Sequence, residues 1–210
     1  MSDKRCIIIG GGDFDPVLLP ERSGGDLLVA ADSGFAALEK IGVVPDVCIG
    51  DFDSLGYEPS GCETVRLPVE KDDTDMIAAA RFGMERGYDR FVFLGVLGGE
   101  RFSHSLAAVQ TLAWLITQGA RGEILAAGCR VTAASAERVT WPSSARGSVS
   151  VFALGGPAVV SIEGLKYDLC RHELGVFPLA VSNSFVGLPA RIDVPEGTVV
   201  IVEEPDVVVE

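Results

Sequence analysis

Over its first 120 residues the chain alternates short apolar runs with stretches of helical patterning, and this alternation restricts the fold more than any other feature. Residues 6–9, 27–31, 47–49, 64–67 and 91–94 each read as a short buried strand. Between them, residues 34–41, 74–86 and 105–117 carry a helical pattern; in the last, Leu106, Val109, Leu112, Ala113 and Ile116 share one face. Strands that alternate with helices pair in parallel through right-handed crossovers. Residues 1–120 therefore predict an α/β domain built on a doubly wound, mostly parallel sheet.

The texture changes near residues 118–122. Residues 123–126, 130–133, 138–141, 148–153, 158–162 and 198–202 are β-type runs separated by Gly, Pro or Ser, with no helical pattern among them. Residues 121–210 predict a C-terminal all-β sandwich domain. The tetrapeptide GDFD occurs at 12–15 and again at 50–53, but the flanks differ and the echo reads as chance.

Charge narrows the partners. Seventeen Lys and Arg against 30 Asp and Glu leave a formal charge of −13, which argues against nucleic acid. No apolar run approaches the roughly 18 residues of a membrane span, and the apolar stretch behind residues 1–5 is too short for a signal-peptide core. Five scattered cysteines with no CxxC pair argue against structural zinc and fit a cytoplasmic protein.

In an open α/β sheet, ligands bind outside the carboxyl ends of the strands. Here polar residues follow almost every predicted strand. Asp32 and Ser33 follow the second, and Asp51, Asp53 and Ser54 the third. Lys71, Asp72, Asp73, Thr74 and Asp75 follow the fourth, and Arg101, Ser103, His104 and Ser105 the fifth. Six carboxylates on one sheet edge cannot all stay ionised without cations, and all-oxygen ligands favour Mg²⁺ over zinc. In Asp51-Phe52-Asp53 the two carboxylates can point one way while Phe52 packs inward, although a solvated capping turn has the same residues. Asp72, Asp73 or Thr74 can cap the helix that follows; four charges in five residues exceed what a cap requires, and a helix N-terminus suits phosphate. Gly98 and Gly99, followed by Arg101 and His104, can set amides and a guanidinium against phosphate oxygens, or serve only a tight turn. Gly10-Gly11-Gly12 lacks the third glycine of a dinucleotide fingerprint, position 15 being Asp15. No Walker A loop, GxSxG elbow or zinc motif occurs.

The segments ADSG (31–34), PDVCIGDFDSL (45–55), KDDTD (71–75), GVLGGERFSH (95–104), GLKYDL (164–169) and SNSF (182–185) resemble, in order, those of the thiamine pyrophosphokinase family. The resemblance implies transfer of pyrophosphate from ATP to the hydroxyl of thiamine, giving thiamine diphosphate and AMP. It implies a nucleotide-binding catalytic domain followed by a thiamine-binding sandwich, and a homodimer with active sites at the subunit boundary. It implies Mg²⁺ on Asp51, Asp53 and Asp75, phosphates steadied by Lys71 and Arg101, and a hydroxyl oriented by Asp72 or Asp75. Ser54, Thr74 and His104 join the nucleotide site, and Asp32 touches ribose or metal. A carboxylate of ordinary pKa near 3.9 is a feeble base toward an alcohol, so positioning and electrostatics carry such a reaction. Tyr167 matches the family's stacking aromatic, usually Trp, with Ser182, Asn183 and Ser184 toward the pyrimidine; sandwich core is the plainer use of Tyr167 and Phe185.

Two departures stand out. The usual GGRxDH is GGERFSH here, with Glu100 inserted and Ser103 where Asp is expected, and Ile77 and Ala78 replace an acidic–Lys pair. The alternatives are a Mg²⁺-dependent phosphatase with an Asp nucleophile at the third strand end, or a non-catalytic thiamine or nucleotide sensor.

Overall fold

The computed structural model describes residues 4–53, 55–68, 74–177 and 179–206. Of the expected site residues, Ser54, Lys71 and Asp72 lie outside the described residues, as does Asp73. The chain forms two units, Met1–Thr111 with Gly119–Ala127, and Leu112–Gln118 with Gly128–Glu210.

Among the described residues, the first unit carries six strands: β1 (Cys6–Ile9), β2 (Leu27–Ala31), β3 (Val47–Gly50), β4 (Glu63–Arg66), β5 (Arg90–Leu94) and β6 (Arg121–Ala126). They lie in the order β6-β5-β1-β2-β3-β4, and every pairing is parallel. β1 lies inside the sheet between β2 and β5 and is buried at all four residues; a strand covered on both faces is continuously apolar, as CIII is. Helices α1 (Gly34–Lys40) and α2 (Asp75–Glu85) belong to this unit, and α3 (Phe102–Thr117) begins in it. Residues 123–126 were expected among the antiparallel runs. They form most of β6 instead, which pairs in parallel with β5 through Phe93↔Ile124. Six residues after a helix read equally well as either kind of strand, and only the partner decides.

The N-terminal edge of β2 is pinned by a buried ion pair. Asp26, whose side chain is fully enclosed, accepts hydrogen bonds from the Arg5 backbone N–H (2.7 Å), the Arg5 guanidinium (2.7 Å) and the Ser23 N–H (3.0 Å). Burial alone would raise its pKa, but the Arg5 and Ser23 donors prevail and hold the carboxyl well below the usual carboxylate range.

The second unit is antiparallel. β12 (Ala190–Glu204) pairs with β7 (Cys129–Trp141) along its length, while its other edge changes partner. Arg191–Glu196 lies against β9 (Ala158–Glu163), and Val199–Glu204 against β8 (Ser148–Ala153). The change falls at Pro195-Glu196-Gly197, where the pairing slips between Val194 and Thr198. Proline brings no N–H to the ladder, and Gly197 (φ 79°) supplies the left-handed residue of a bulge. Ile192, Val194, Val199, Ile201, Val149, Val151, Val160 and Ile162 share one buried cluster between the two halves. Sequence patterning divides β7 at residue 133, whereas the strand runs on through Ala136 (φ 51°); β10 (Leu169–Leu174), mostly exposed, shows no apolar alternation. β11 (Asn183–Ser184) pairs with β8. Among the described residues, no helix is long and apolar enough to cross a membrane.

Candidate active site

β1 through β4 step outward on one side of β1, while β5 and β6 lie on its other side. The sheet therefore reverses direction between β1 and β5, and such a switch point is where α/β sheets bind ligands. A cleft of about 270 Å³ opens there. Gly10, Gly11, Gly12, Gly95, Gly98 and Gly99 line it from the two strand ends, joined by Asp32 and Ser33 after β2, Thr74 and Asp75 at α2, and Glu100, Arg101 and His104 at α3.

Backbone contact makes the floor. The N–H groups of Gly10, Gly12 and Asp13 donate to the carbonyls of Leu94 (2.8 Å), Gly95 (2.6 Å) and Leu97 (2.8 Å), zipping one loop onto the other. A Cβ on Gly12 would stand 2.5 Å from the Leu97 carbonyl oxygen, so this approach excludes every other residue. At α2, Thr74 Oγ1 accepts from the Ile77 N–H (3.3 Å), which caps the helix and aims its N-terminal turn at the cleft. Two helix N-termini on one cleft favour an anionic group there.

Asp32 is the strained member. It holds a left-handed φ of 47° between β2 and α1, fixed by its N–H to Ile49 O (2.8 Å) and by its carbonyl, which accepts from Phe35 N–H (3.2 Å). Its Oδ1 is buried without a hydrogen-bond partner. An unpaired buried carboxylate oxygen is costly, and a cation or a donor on a ligand would complete it.

The Asp51-Phe52-Asp53 turn takes its geometry from its middle residue. Phe52 has a φ of 63° and is 5% exposed, its ring packed in the core cluster of the first unit, so Asp51 and Asp53 flank an inward-pointing side chain. The Asp53 N–H donates to Asp51 Oδ1 (3.1 Å).

Of the expected residues, Asp32, Thr74, Asp75, Arg101 and His104 thus meet in one cleft, whereas Asp51 and Asp53 are not among its lining residues. Among the described residues, no group of three or more His, Cys, Asp or Glu is arranged to hold a metal ion. The donor chemistry still suits a hard cation, with oxygen ligands on three strand ends and the unsatisfied Oδ1 of Asp32. The cleft also takes in Gly10–Gly12, Gly95 and Glu100, to which sequence patterning assigns no ligand role. Three successive glycines after the first strand were the signal for the first group, since nothing in strand formation calls for them.

In the second unit, Tyr167 is 63% exposed, which removes it from the core, while Phe185 packs edge-on against Trp141 with centroids 5.9 Å apart. Asn183 is 4% exposed and spends its amide on Tyr167: Oδ1 accepts from the Tyr167 N–H (2.9 Å) and Nδ2 donates to the Tyr167 carbonyl (2.6 Å). Lys166 N–H donates to Ser184 O (2.9 Å), and Ser182 N–H donates to Ser150 Oγ (2.9 Å). The SNS segment therefore holds the loop that presents Tyr167. Lys166 Nζ lies 5.4 Å from the Tyr167 ring centroid, so that face already accepts a cation.

A parallel sheet with a glycine-floored cleft at its switch point defines a doubly wound α/β protein, a class in which ligands bind at that point. Family comparison is more particular. The model for the thiamin pyrophosphokinase catalytic domain matches residues 22–123, and that for the thiamin pyrophosphokinase vitamin B1 binding domain matches residues 139–199. Thiamine pyrophosphokinase of Bacillus subtilis (strain 168) is 30% identical over 119 residues, which cover 52% of this chain and 54% of that protein, about half the length of each. Crystal structures named as thiamin pyrophosphokinases from Bacillus subtilis (TM-score 0.85, 20% identity, 97% of this chain and 100% of that one) and Geobacillus thermodenitrificans (0.80, 23%, 97% and 99%) share the fold. The yeast enzyme's structure does so at a TM-score of 0.77 and 16% identity, over 97% of this chain and 87% of that one. The chain belongs to the thiamin pyrophosphokinase family.

Proposed function

We propose that the protein transfers pyrophosphate from ATP to the hydroxyl of thiamine, producing thiamine diphosphate and AMP. The observation that carries this reading is the cleft at the β1–β5 switch point, whose glycine backbone, two helix N-termini, Arg101 and His104 supply what a polyphosphate requires. Attack of an alcohol on the β-phosphorus spreads charge over the phosphate oxygens. The cleft's fixed donors meet that charge without reorganising, and such preorganisation is the main source of rate in phosphoryl transfer. Arg101 and Lys71 steady the phosphates, and the first turn of α2, capped by Thr74, orients them. Asp72 or Asp75 holds the thiamine hydroxyl in line. Mg²⁺ is part of the proposal: Asp51, Asp53 and Asp75 would hold it, and it would neutralise charge on the triphosphate.

On the second unit, Tyr167 stacks on the cationic vitamin, and Ser182 and Ser184 face its pyrimidine. Asn183 acts by positioning Tyr167. The same reading makes the chain a homodimer with thiamine bound where subunits meet, which the exposure of Val176, Phe177 and Leu188 on this unit supports. The compartment in this reading is the cytoplasm, which suits five cysteines outside any disulfide bond.

Incubation of the purified chain with ATP, MgCl₂ and thiamine tests the proposal. AMP and thiamine diphosphate in equal amounts support it. Inorganic phosphate alone points to a phosphatase, and thiamine binding without turnover to a sensor; either result overturns it.

A further inference from the structure

The cysteines of the first unit hold an arrangement that the transfer reaction does not use. Cys48, in the middle of β3 and 0% exposed, lies with its Sγ 2.8 Å from Sγ of Cys62, the half-buried residue just before β4. Non-bonded carbon atoms rest at about 3.5–4.0 Å, and sulfur is no smaller. A disulfide needs about 2.05 Å, so a further approach of about 0.8 Å closes the bond. Both residues are free thiols. The pairing of β3 with β4 (Cys48↔Thr64) sets them together, and both pack with Phe52 and Leu55 in one cluster. They are 14 positions apart, and the chain between them contains the Asp51-Phe52-Asp53 turn.

We propose that Cys48 and Cys62 form a reversible dithiol–disulfide clasp across the base of the Asp51-Phe52-Asp53 turn. The oxidant is a low-molecular-weight disulfide, RSSR. The sulfur of Cys62, the more accessible of the two, attacks one sulfur of RSSR; the external S–S bond breaks, and the thiol proton leaves on the first RSH. The sulfur of Cys48 then attacks the Cys62 sulfur of the mixed disulfide, the bond to R breaks, and the second proton leaves with the second RSH. Two protein thiols are oxidised and one external disulfide is reduced to two thiols. Burial, followed by the hydrogen bond and charge of Cys62, pushes the Cys48 thiol far up, so Cys48 keeps its proton until an adduct stands beside it. The closed ring fixes both stems of the turn and restricts the unfolded chain, while reduction restores the dithiol.

The test uses the full chain exposed to glutathione disulfide, with the remaining thiols then alkylated and the digest read by mass spectrometry. The expected product is a linked peptide joining Cys48 to Cys62, cleared by dithiothreitol. Oxidation should raise the unfolding midpoint by about 5 °C and slow amide exchange in residues 51–56. Cys62→Ser should abolish all three effects, and Cys48→Ala should do the same as an independent check. Cys170→Ser, which removes the exposed thiol of β10, should leave them intact. Alkylation of both Cys48 and Cys62 after oxidation, or a glutathione adduct as the sole product, would overturn the proposal. None of these readouts depends on the transfer activity.

Discussion

The two units make the surfaces proposed to meet their ligands from different material. The cleft of the first is largely backbone: glycines of two loops hydrogen-bonded to each other, and helix N-termini whose donors are peptide N–H groups. The surface of the second is a side chain, Tyr167, exposed on a loop that a buried asparagine clamps at both its N–H and its carbonyl. The contrast suits the chemistry proposed for each. A polyphosphate is anionic on every side and is matched by many small fixed dipoles. A flat organic cation needs one face to lie on. A backbone site has no tolerance for added atoms, whereas a side-chain site degrades gradually as the ring is trimmed.

The largest expected effect falls on the carboxylates. Asp53→Asn or Asp51→Asn should cut kcat about 10³-fold, roughly 4 kcal/mol of transition-state stabilisation. Thermal unfolding should hardly move, because Asp53 is exposed and an Asn at 51 still offers an oxygen to the Asp53 N–H. Near-normal turnover would refute a metal-holding role for Asp51 and Asp53.

Acid should separate the units. The carboxyl of Asp26 lies below its unfolded value, so its contribution is fully present above about pH 4 and fades as the pH falls toward the folded pKa. The ion pairs Arg171–Glu196 and Arg191–Glu163 of the second unit are exposed and add little. Amide exchange followed from pH 6 to pH 2 should therefore show β1 and β2 loosening before β7 and β12. Asp26→Asn should cost about 3 kcal/mol at neutral pH, less at pH 3, by taking from the Arg5 guanidinium the carboxylate it bonds. Simultaneous loss of both units on acidification would remove this distinction.

Gly12→Ala probes the intolerance of the backbone site directly. The new Cβ must displace the Leu97 carbonyl, parting the loops that form the floor. The KM for ATP should rise about 100-fold, near 2.7 kcal/mol, with the KM for thiamine unchanged. An unaffected ATP KM would mean that the nucleotide does not use this floor.

Much of this contrast was legible in the sequence, but unevenly. Short apolar runs gave the parallel strands because burial on both faces leaves no other composition for them. Polar residues at the strand ends marked the ligand edge. Which ends meet was not legible, since the switch point depends on β5 pairing with β1 across more than 80 positions. That is why local patterning alone does not bring Asp32 and the Gly10–Gly12 loop together with Arg101 and His104. In the second unit, Pro195-Glu196-Gly197 reads locally as a turn, and only its paired neighbours reveal a bulge within one long strand. Asn183 looked like a ligand-facing amide because an exposed and a buried SNS share one sequence.

The smallest effect is expected at Tyr167, and it measures how gradual the side-chain site is. A cation over an aromatic face gains about 0.5–2 kcal/mol, so Tyr167→Ala should raise the thiamine KM about 2- to 30-fold and leave the ATP KM alone. Because Tyr167 is exposed, stability should be unchanged, in contrast to Asn183→Ala, which strips a buried clamp and should lower both the midpoint and thiamine affinity. Tyr167→Trp should restore or improve binding, the larger face being the stronger partner for a cation. Lys166→Ala sharpens the point: its ammonium sits on the face that thiamine would take, so its removal should tighten thiamine binding in low salt. Equal changes in the KM of both substrates for Tyr167→Ala would show that the loop serves the whole protein rather than the vitamin.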